Sequence, residues 1–122
     1  MYYHLIFVTK YRRKVIDDTI SNRAKEIFEY IAPKYNITLE EWNYDEDHIH
    51  ILFRVHPNSQ LSKFINTYKS ESSRLIKKEY PELRRKLWKE YFWSRSFCLL
   101  TSGGAPIEVI KTYIESQGGK HE

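Results

Sequence analysis

The spacing of apolar and polar positions changes period several times along the chain. Tyr3 to Thr9 is a short apolar run bounded by charge, the pattern of a buried strand. Asp17 or Asp18 offers a cap, and Ile20, Ala24, Ile27, Phe28 and Ile31 then follow at helical spacing until Pro33 ends the helix. Ile37 to Tyr44 reads as a second strand, Asp45-Glu46-Asp47 as a polar turn, and His48 to Val55 as a third strand with strict alternation. Ser59 or Ser62 is positioned to cap a helix whose stripe is Leu61, Phe64, Ile65, Tyr68, Leu75 and Ile76, with Lys63, Ser70, Arg74 and Lys77 opposite. Glu82 to Lys89 after Pro81 predicts a short extra helix, and Tyr91 to Thr101 a fourth strand rich in aromatics. Ser102-Gly103-Gly104 breaks the chain, and Pro106 suits the first turn of a last helix over 106–117.

This order, βαββαβ plus a terminal helix, predicts an α+β, ferredoxin-like (RRM-like) antiparallel sheet with two helices on one face. No linker or repeat divides the chain, so 1–122 is expected to be one domain, with 1–101 as the core and 105–117 as the terminal helical segment. The same fold serves many activities and does not by itself identify one.

The 122 residues carry a net charge of +4, and the charge is uneven. Lys10, Arg12, Arg13 and Lys14 form one basic zone and 60–95 a second, on either side of an acidic stretch over 36–50. Basic zones attract polyanions, of which nucleic acid is the common one, and aromatic residues beside them suit stacking on unpaired bases. Ordinary surface scatter is the competing reading. The apolar runs are too short to span a bilayer, and the first basic cluster follows the apolar stretch instead of preceding it as in a signal peptide. A single cysteine, Cys98, excludes an internal disulfide and fits a reducing, cytoplasmic setting.

His48-Ile49-His50 carries the clearest chemistry. Alternation puts His48, His50, Leu52 and Arg54 on one strand face and Ile49, Ile51, Phe53 and Val55 on the other. Two imidazoles on one face can converge on a metal ion, or can be two exposed histidines. Near the end of the chain, Tyr113 and Gln117 lie one helical turn apart, beside an apolar face of Ile107, Ile110 and Ile114. A phenol can attack a phosphodiester when a base or positive charge assists it, or can simply pack.

Several segments together resemble a known family. Tyr3-His4-Leu5-Ile6-Phe7-Val8-Thr9-Lys10-Tyr11-Arg12-Arg13-Lys14 is similar to the opening strand of the TnpA-type single-tyrosine transposases of small bacterial and archaeal insertion sequences, members of the HUH (His-hydrophobic-His) nuclease superfamily. Asp47-His48-Ile49-His50-Ile51-Leu52 resembles their His-hydrophobic-His strand, and Lys69-Ser70-Glu71-Ser72-Ser73-Arg74 their second-helix segment. Leu87-Trp88, Phe92-Trp93-Ser94 and Tyr113-Ile114-Glu115-Ser116-Gln117 resemble their later signatures, in order and over nearly the whole chain.

The resemblance implies a transposase that cleaves and rejoins single-stranded DNA at hairpin-marked element ends through a covalent 5′-phosphotyrosine. It implies Tyr113 as nucleophile and His48, His50 and Gln117 as ligands of a divalent ion, Mg2+ or Mn2+. It also implies a homodimer with composite sites, the histidines of one subunit working with the tyrosine helix of the other. No nucleotide cofactor is expected, and the chain has no GxxxxGK[ST] loop. Lys10, Arg12, Arg13, Arg54, Lys69 and Arg74 are the candidate DNA contacts. Arg54 could instead pair with Glu41, Asp47 could hydrogen-bond a ligand histidine or serve only the turn, and Trp88 and Trp93 read as core or dimer contacts. The alternatives are a domesticated nickase of repeated hairpins and a non-catalytic single-strand-binding module.

Overall fold

A computed structural model of the chain describes residues 1–101 and 107–118. Strands β1 (Tyr2–Val8), β2 (Ile37–Asp45), β3 (His48–Val55) and β4 (Cys98–Thr101) form one sheet in the order β2-β3-β1-β4, and every neighbouring pair is antiparallel. Helices α1 (Asp18–Ile31) and α2 (Leu61–Glu79) precede β2 and follow β3, and α3 (Ile107–Ser116) follows β4. This is the ferredoxin-like arrangement that the periodicity predicts. Among the described residues no helix is long and apolar enough to cross a membrane.

The main core lies between the sheet and α1 and α2. Alternation sends Leu5, Phe7, Ile49, Ile51 and Phe53 into it, where they meet Phe28, Phe64 and Tyr68. Specific polar contacts fix the packing. Tyr68 in α2 donates its hydroxyl to the Ala24 carbonyl of α1 (2.9 Å), and Trp42 Nε1 of β2 donates to Ser21 Oγ of α1 (2.9 Å). The opposite sheet face is not bare, because Ile6 and Val8 are fully buried there, outside the main core cluster.

Asp17 caps α1 by accepting from the Ile20 amide (2.9 Å). The expected cap of α2 is different: Gln60 takes that position without a side-chain bond, because Ser59 Oγ donates to the Asn36 carbonyl and Ser62 is already inside the helix. The segment expected as one short helix over 82–89 is two 3₁₀ turns, Pro81–Lys86 and Trp88–Glu90. The fourth strand is shorter than the aromatic run. Residues 92–94 reach the end of β1 through Lys10 N to Phe92 O (3.0 Å) and Ser94 N to Val8 O (2.7 Å), the chain bends, and β4 begins only at Cys98. The expected break at Ser102-Gly103-Gly104 and the helix start at Pro106 lie outside the described residues.

Candidate functional site

The histidine face is organised by the sheet register. Ile6 of β1 stands between His50 of β3 and Cys98 of β4, so His4, Ile6, His48, His50 and Cys98 share one side of the sheet. His48 and His50 are both half-buried.

The Asp47 carboxylate is 8% exposed and accepts from two sides: His48 Nδ1 at 2.8 Å and Arg12 Nε at 2.9 Å. Burial alone would raise its pKa, but the hydrogen bonds from His48 and Arg12 outweigh that and hold it below the usual carboxylate value. Asp47 thus does both things the sequence allowed, occupying the β2–β3 turn and orienting His48. With Nδ1–H committed to the carboxylate, neutral His48 presents the Nε2 lone pair outward. His50 is held differently, its Nε2 lying 2.8 Å from His4 Nδ1 across the sheet. Burial, and then the neighbouring His4 and His48, push its pKa down and favour the neutral ring.

Tyr113 and Gln117 in and after α3 meet a pair of serines upstream of β4. The Tyr113 hydroxyl lies 2.9 Å from Ser96 Oγ, and Gln117 Oε1 accepts from Ser94 Oγ and from Ser96 Oγ (3.4 Å). Burial raises the Tyr113 pKa, so its phenol is firmly protonated at neutral pH unless positive charge is brought near. Ile110 and Ile114 are half-buried.

A contact path joins the two halves within one chain. A Cβ on Gly118 would sit 2.9 Å from Arg12 Cδ, and Arg12 holds Asp47, which holds His48. The end of α3 therefore rests on the side chain that braces the histidine site. Sequence reasoning missed this role of Arg12 and the partnership of His4 with His50. Their partners are 35 and 46 residues away, and no local spacing signals them.

Among the described residues no three His, Cys, Asp or Glu side chains are grouped to hold a metal, so a cation at the two imidazoles would need a further donor, while the Gln117 amide oxygen in this structure accepts from Ser94 and Ser96. Imidazole with oxygen donors is a set that manganese accepts more readily than magnesium, and a carboxylate behind the ring, as in Asp47–His48, is the usual orientation device where an imidazole ligates.

Three of the six basic candidates share one place. Lys10, Lys69 and Arg74, with Lys77, Arg84, Lys89 and Arg95, line a cleft of about 950 Å³ beside Trp88, Tyr91 and Trp93, with no carboxylate in its lining. Lys69 is tied down there, donating to the carbonyls of Ser94 (2.9 Å) and Arg95 (2.7 Å), and burial followed by Lys10 lowers its pKa. Arg74 pairs with Glu71. Arg54 is elsewhere, at the far end of β3, facing Glu40 at 3.9 Å. Glu40, the extra residue at the register shift between Leu39 and Glu41, takes the place expected of Glu41, which lies opposite Leu52. Arg13 is half-buried, and its carbonyl accepts from Thr9 Oγ1. Trp93 is buried and donates to Ser72 Oγ (2.9 Å), as a core residue should, whereas Trp88 stays half-exposed on the cleft wall.

The model of the family described as "Transposase IS200 like" matches residues 1–117. The chain is 33% identical to the ISDra2 transposase TnpA of Deinococcus radiodurans over 118 residues, 97% of this chain and 84% of that protein. It is 28% identical to the transposase for insertion sequence element IS200 of Salmonella typhimurium, over 94% of this chain and 75% of that one. A crystal structure described as that of a candidate transposase from Deinococcus radiodurans R1 superposes with a TM-score of 0.88 at 30% identity, covering 98% and 92% of the two chains. A REP-associated tyrosine transposase bound to a REP hairpin shares the fold alone, with a TM-score of 0.63 at 10% identity over 93% of this chain and 62% of that one.

Proposed function

This chain belongs to the family of IS200-like transposases, and on that premise we propose that it cuts and rejoins single-stranded DNA at hairpin-marked element ends, with Tyr113 as nucleophile. The observation that carries the reading is the Tyr113–Ser96–Gln117 cluster, whose helix end rests on the Arg12–Asp47–His48 chain.

The Tyr113 oxygen attacks the scissile phosphorus, the 3′-hydroxyl leaves, and the 5′-phosphate remains as a tyrosyl ester. Rejoining reverses the step with a new 3′-hydroxyl. The ester conserves the bond energy, so no nucleotide is consumed. Ser96 holds the phenol oxygen in place, and Ser94 and Ser96 hold the Gln117 amide. Asp47 and His4 fix the two imidazoles, each through one ring nitrogen. A divalent cation held by His48, His50 and Gln117 would draw charge from the phosphate oxygens and ease loss of the phenol proton. The working unit is a homodimer with composite sites, and the Gly118–Arg12 contact supports in addition a docked state in which helix and histidines belong to one chain.

Single-stranded element ends incubated with the protein and Mn2+ should yield a covalent protein–DNA adduct that survives denaturing electrophoresis. Tyr113→Phe should abolish it. An adduct that persists in Tyr113→Phe assigns the nucleophile elsewhere.

A further inference from the structure

We propose that the basic cleft beside Lys10 is a track for unpaired nucleotides, with Trp88 and Tyr91 as its base-stacking platform. This rests on the reading that the Tyr113 cluster acts on single-stranded DNA. Trp88 and Tyr91 are stacked at 6.0 Å between centroids and 23° between planes, and Tyr91 is 55% exposed. The turn that joins them is unusual: Lys89 and Glu90 both have left-handed backbones, with φ of 48° and 63°. Neither is glycine, so the turn is held at a cost, and its result is to aim both rings at one wall of the cleft.

Cations are interleaved with these rings. Lys89 Nζ is 4.6 Å from the Trp88 centroid, and Lys10 Nζ is 5.9 Å from Trp88 and 5.8 Å from Tyr91. Among the described residues neither lysine makes a salt bridge, while the nearby Arg74 and Arg84 are partnered by Glu71 and Glu90. Charge left unpaired over flat apolar rings suits a strand whose phosphates and bases are both accessible. A duplex presents phosphates but hides its base faces.

The cleft also leads to the chemistry. A second cleft of about 400 Å³ shares Lys10, Tyr11, Ser94 and Arg95 with the first, and its far wall is Ser96 and Gln117. A strand lying on the Trp88–Tyr91 platform can therefore continue past Lys10 to the Tyr113 cluster without leaving the basic surface.

The test uses the full chain without metal and the oligonucleotide (dT)12, with the dT12·dA12 duplex as competitor. Binding of (dT)12 should quench tryptophan emission, and Trp88→Phe should remove that response, since Trp93 is buried and Trp42 is bonded to Ser21. Tyr91→Ala should weaken binding about fivefold or more, and Tyr91→Phe by less than about twofold. Lys89→Ala should lower the slope of log affinity against log salt by about 0.7. The proposal is overturned if Tyr91→Ala binds within about twofold of the parent, if quenching survives in Trp88→Phe, or if the duplex competes as well as the single strand. Quenching by (dT)12 together with no adduct on single-stranded element ends in Mn2+ would sink strand transfer and leave the track, whereas an adduct on those ends without quenching by (dT)12 would do the reverse.

Discussion

Asp47 Oδ1 lies 2.8 Å from His48 Nδ1, and because a carboxylate can only accept, it dictates which ring nitrogen carries the proton. Asp47→Ala should lower Mn2+ affinity about 10- to 100-fold, the usual consequence of removing a carboxylate behind a ligating imidazole. Electron paramagnetic resonance of free Mn2+ gives the affinity directly, and the His48 ring nitrogen shifts should report mixed tautomers. An unchanged affinity would remove Asp47 from the account of the site.

Gly118 touches Arg12 so closely that its missing side chain matters. The Cβ of Gly118→Ala meets the far part of a flexible arginine, so the fold should survive with a loss under about 1 kcal/mol. Adduct formation should slow, because Arg12 must leave Asp47 or α3 must lift. The loss in Gly118→Ala and the loss in Arg12→Ala should be less than additive in the double variant, as for any pair sharing one contact. Rates measured on the four proteins settle it, and full additivity means the contact carries no coupling.

Tyr68 is fully buried, and burial drives its phenol pKa far above the ordinary 10.0. Its contribution to stability is whole below pH 10. Above that, the unfolded chain has released the proton and the folded one has not, so the folded state binds more protons and stability falls as pH rises. Urea titrations from about pH 8 to about pH 11 should show this slope in the parent and a smaller one in Tyr68→Phe. At neutral pH the same variant should lose about 1 kcal/mol, from the hydrogen bond it no longer donates to the Ala24 carbonyl.

Lys69 holds two backbone carbonyls just before Ser96. Lys69→Met should therefore act on structure more than on DNA attraction. Amide exchange at Ser96, Phe97 and Cys98 should accelerate, and stability should drop by about 1–2 kcal/mol. Equal exchange with a reduced salt dependence of DNA binding would make Lys69 a phosphate contact instead.

Much of this architecture is written locally. Strict alternation gave the two faces of β3, and the Asp17 cap and Pro33 bounded α1, because each depends on neighbours within a turn or a pleat. The residues that connect the site were hidden for the same reason. Arg12 reaches Asp47 only because Tyr11 and Arg12 both adopt left-handed backbones, with φ of 54° each, which no propensity favours in such residues. The aromatic run over 91–101 looked like one strand because apolar residues flank Ser94-Arg95-Ser96 on both sides, but Lys69 and the edge of β1 take up its first part before β4 begins. That Arg54 faces Glu40 and not Glu41 has no sequence signature, since the two are identical side chains and the register shift beside them is not marked.

The connection between β2 and β3 is only two residues, Glu46 and Asp47, yet the chain after β1 is anchored to it. Thr9 N donates to the Asp47 carbonyl (2.9 Å), and Val15 N and Ile16 N to that of Glu46 (3.1 and 2.9 Å). Tight hairpin tips are where engineers graft epitopes, open new termini or splice in a second protein. Here such surgery would unmoor the start of the polypeptide and misaim an imidazole at one stroke. The tip is better regarded as a keystone, and permissive positions are to be sought on the outer side of α1.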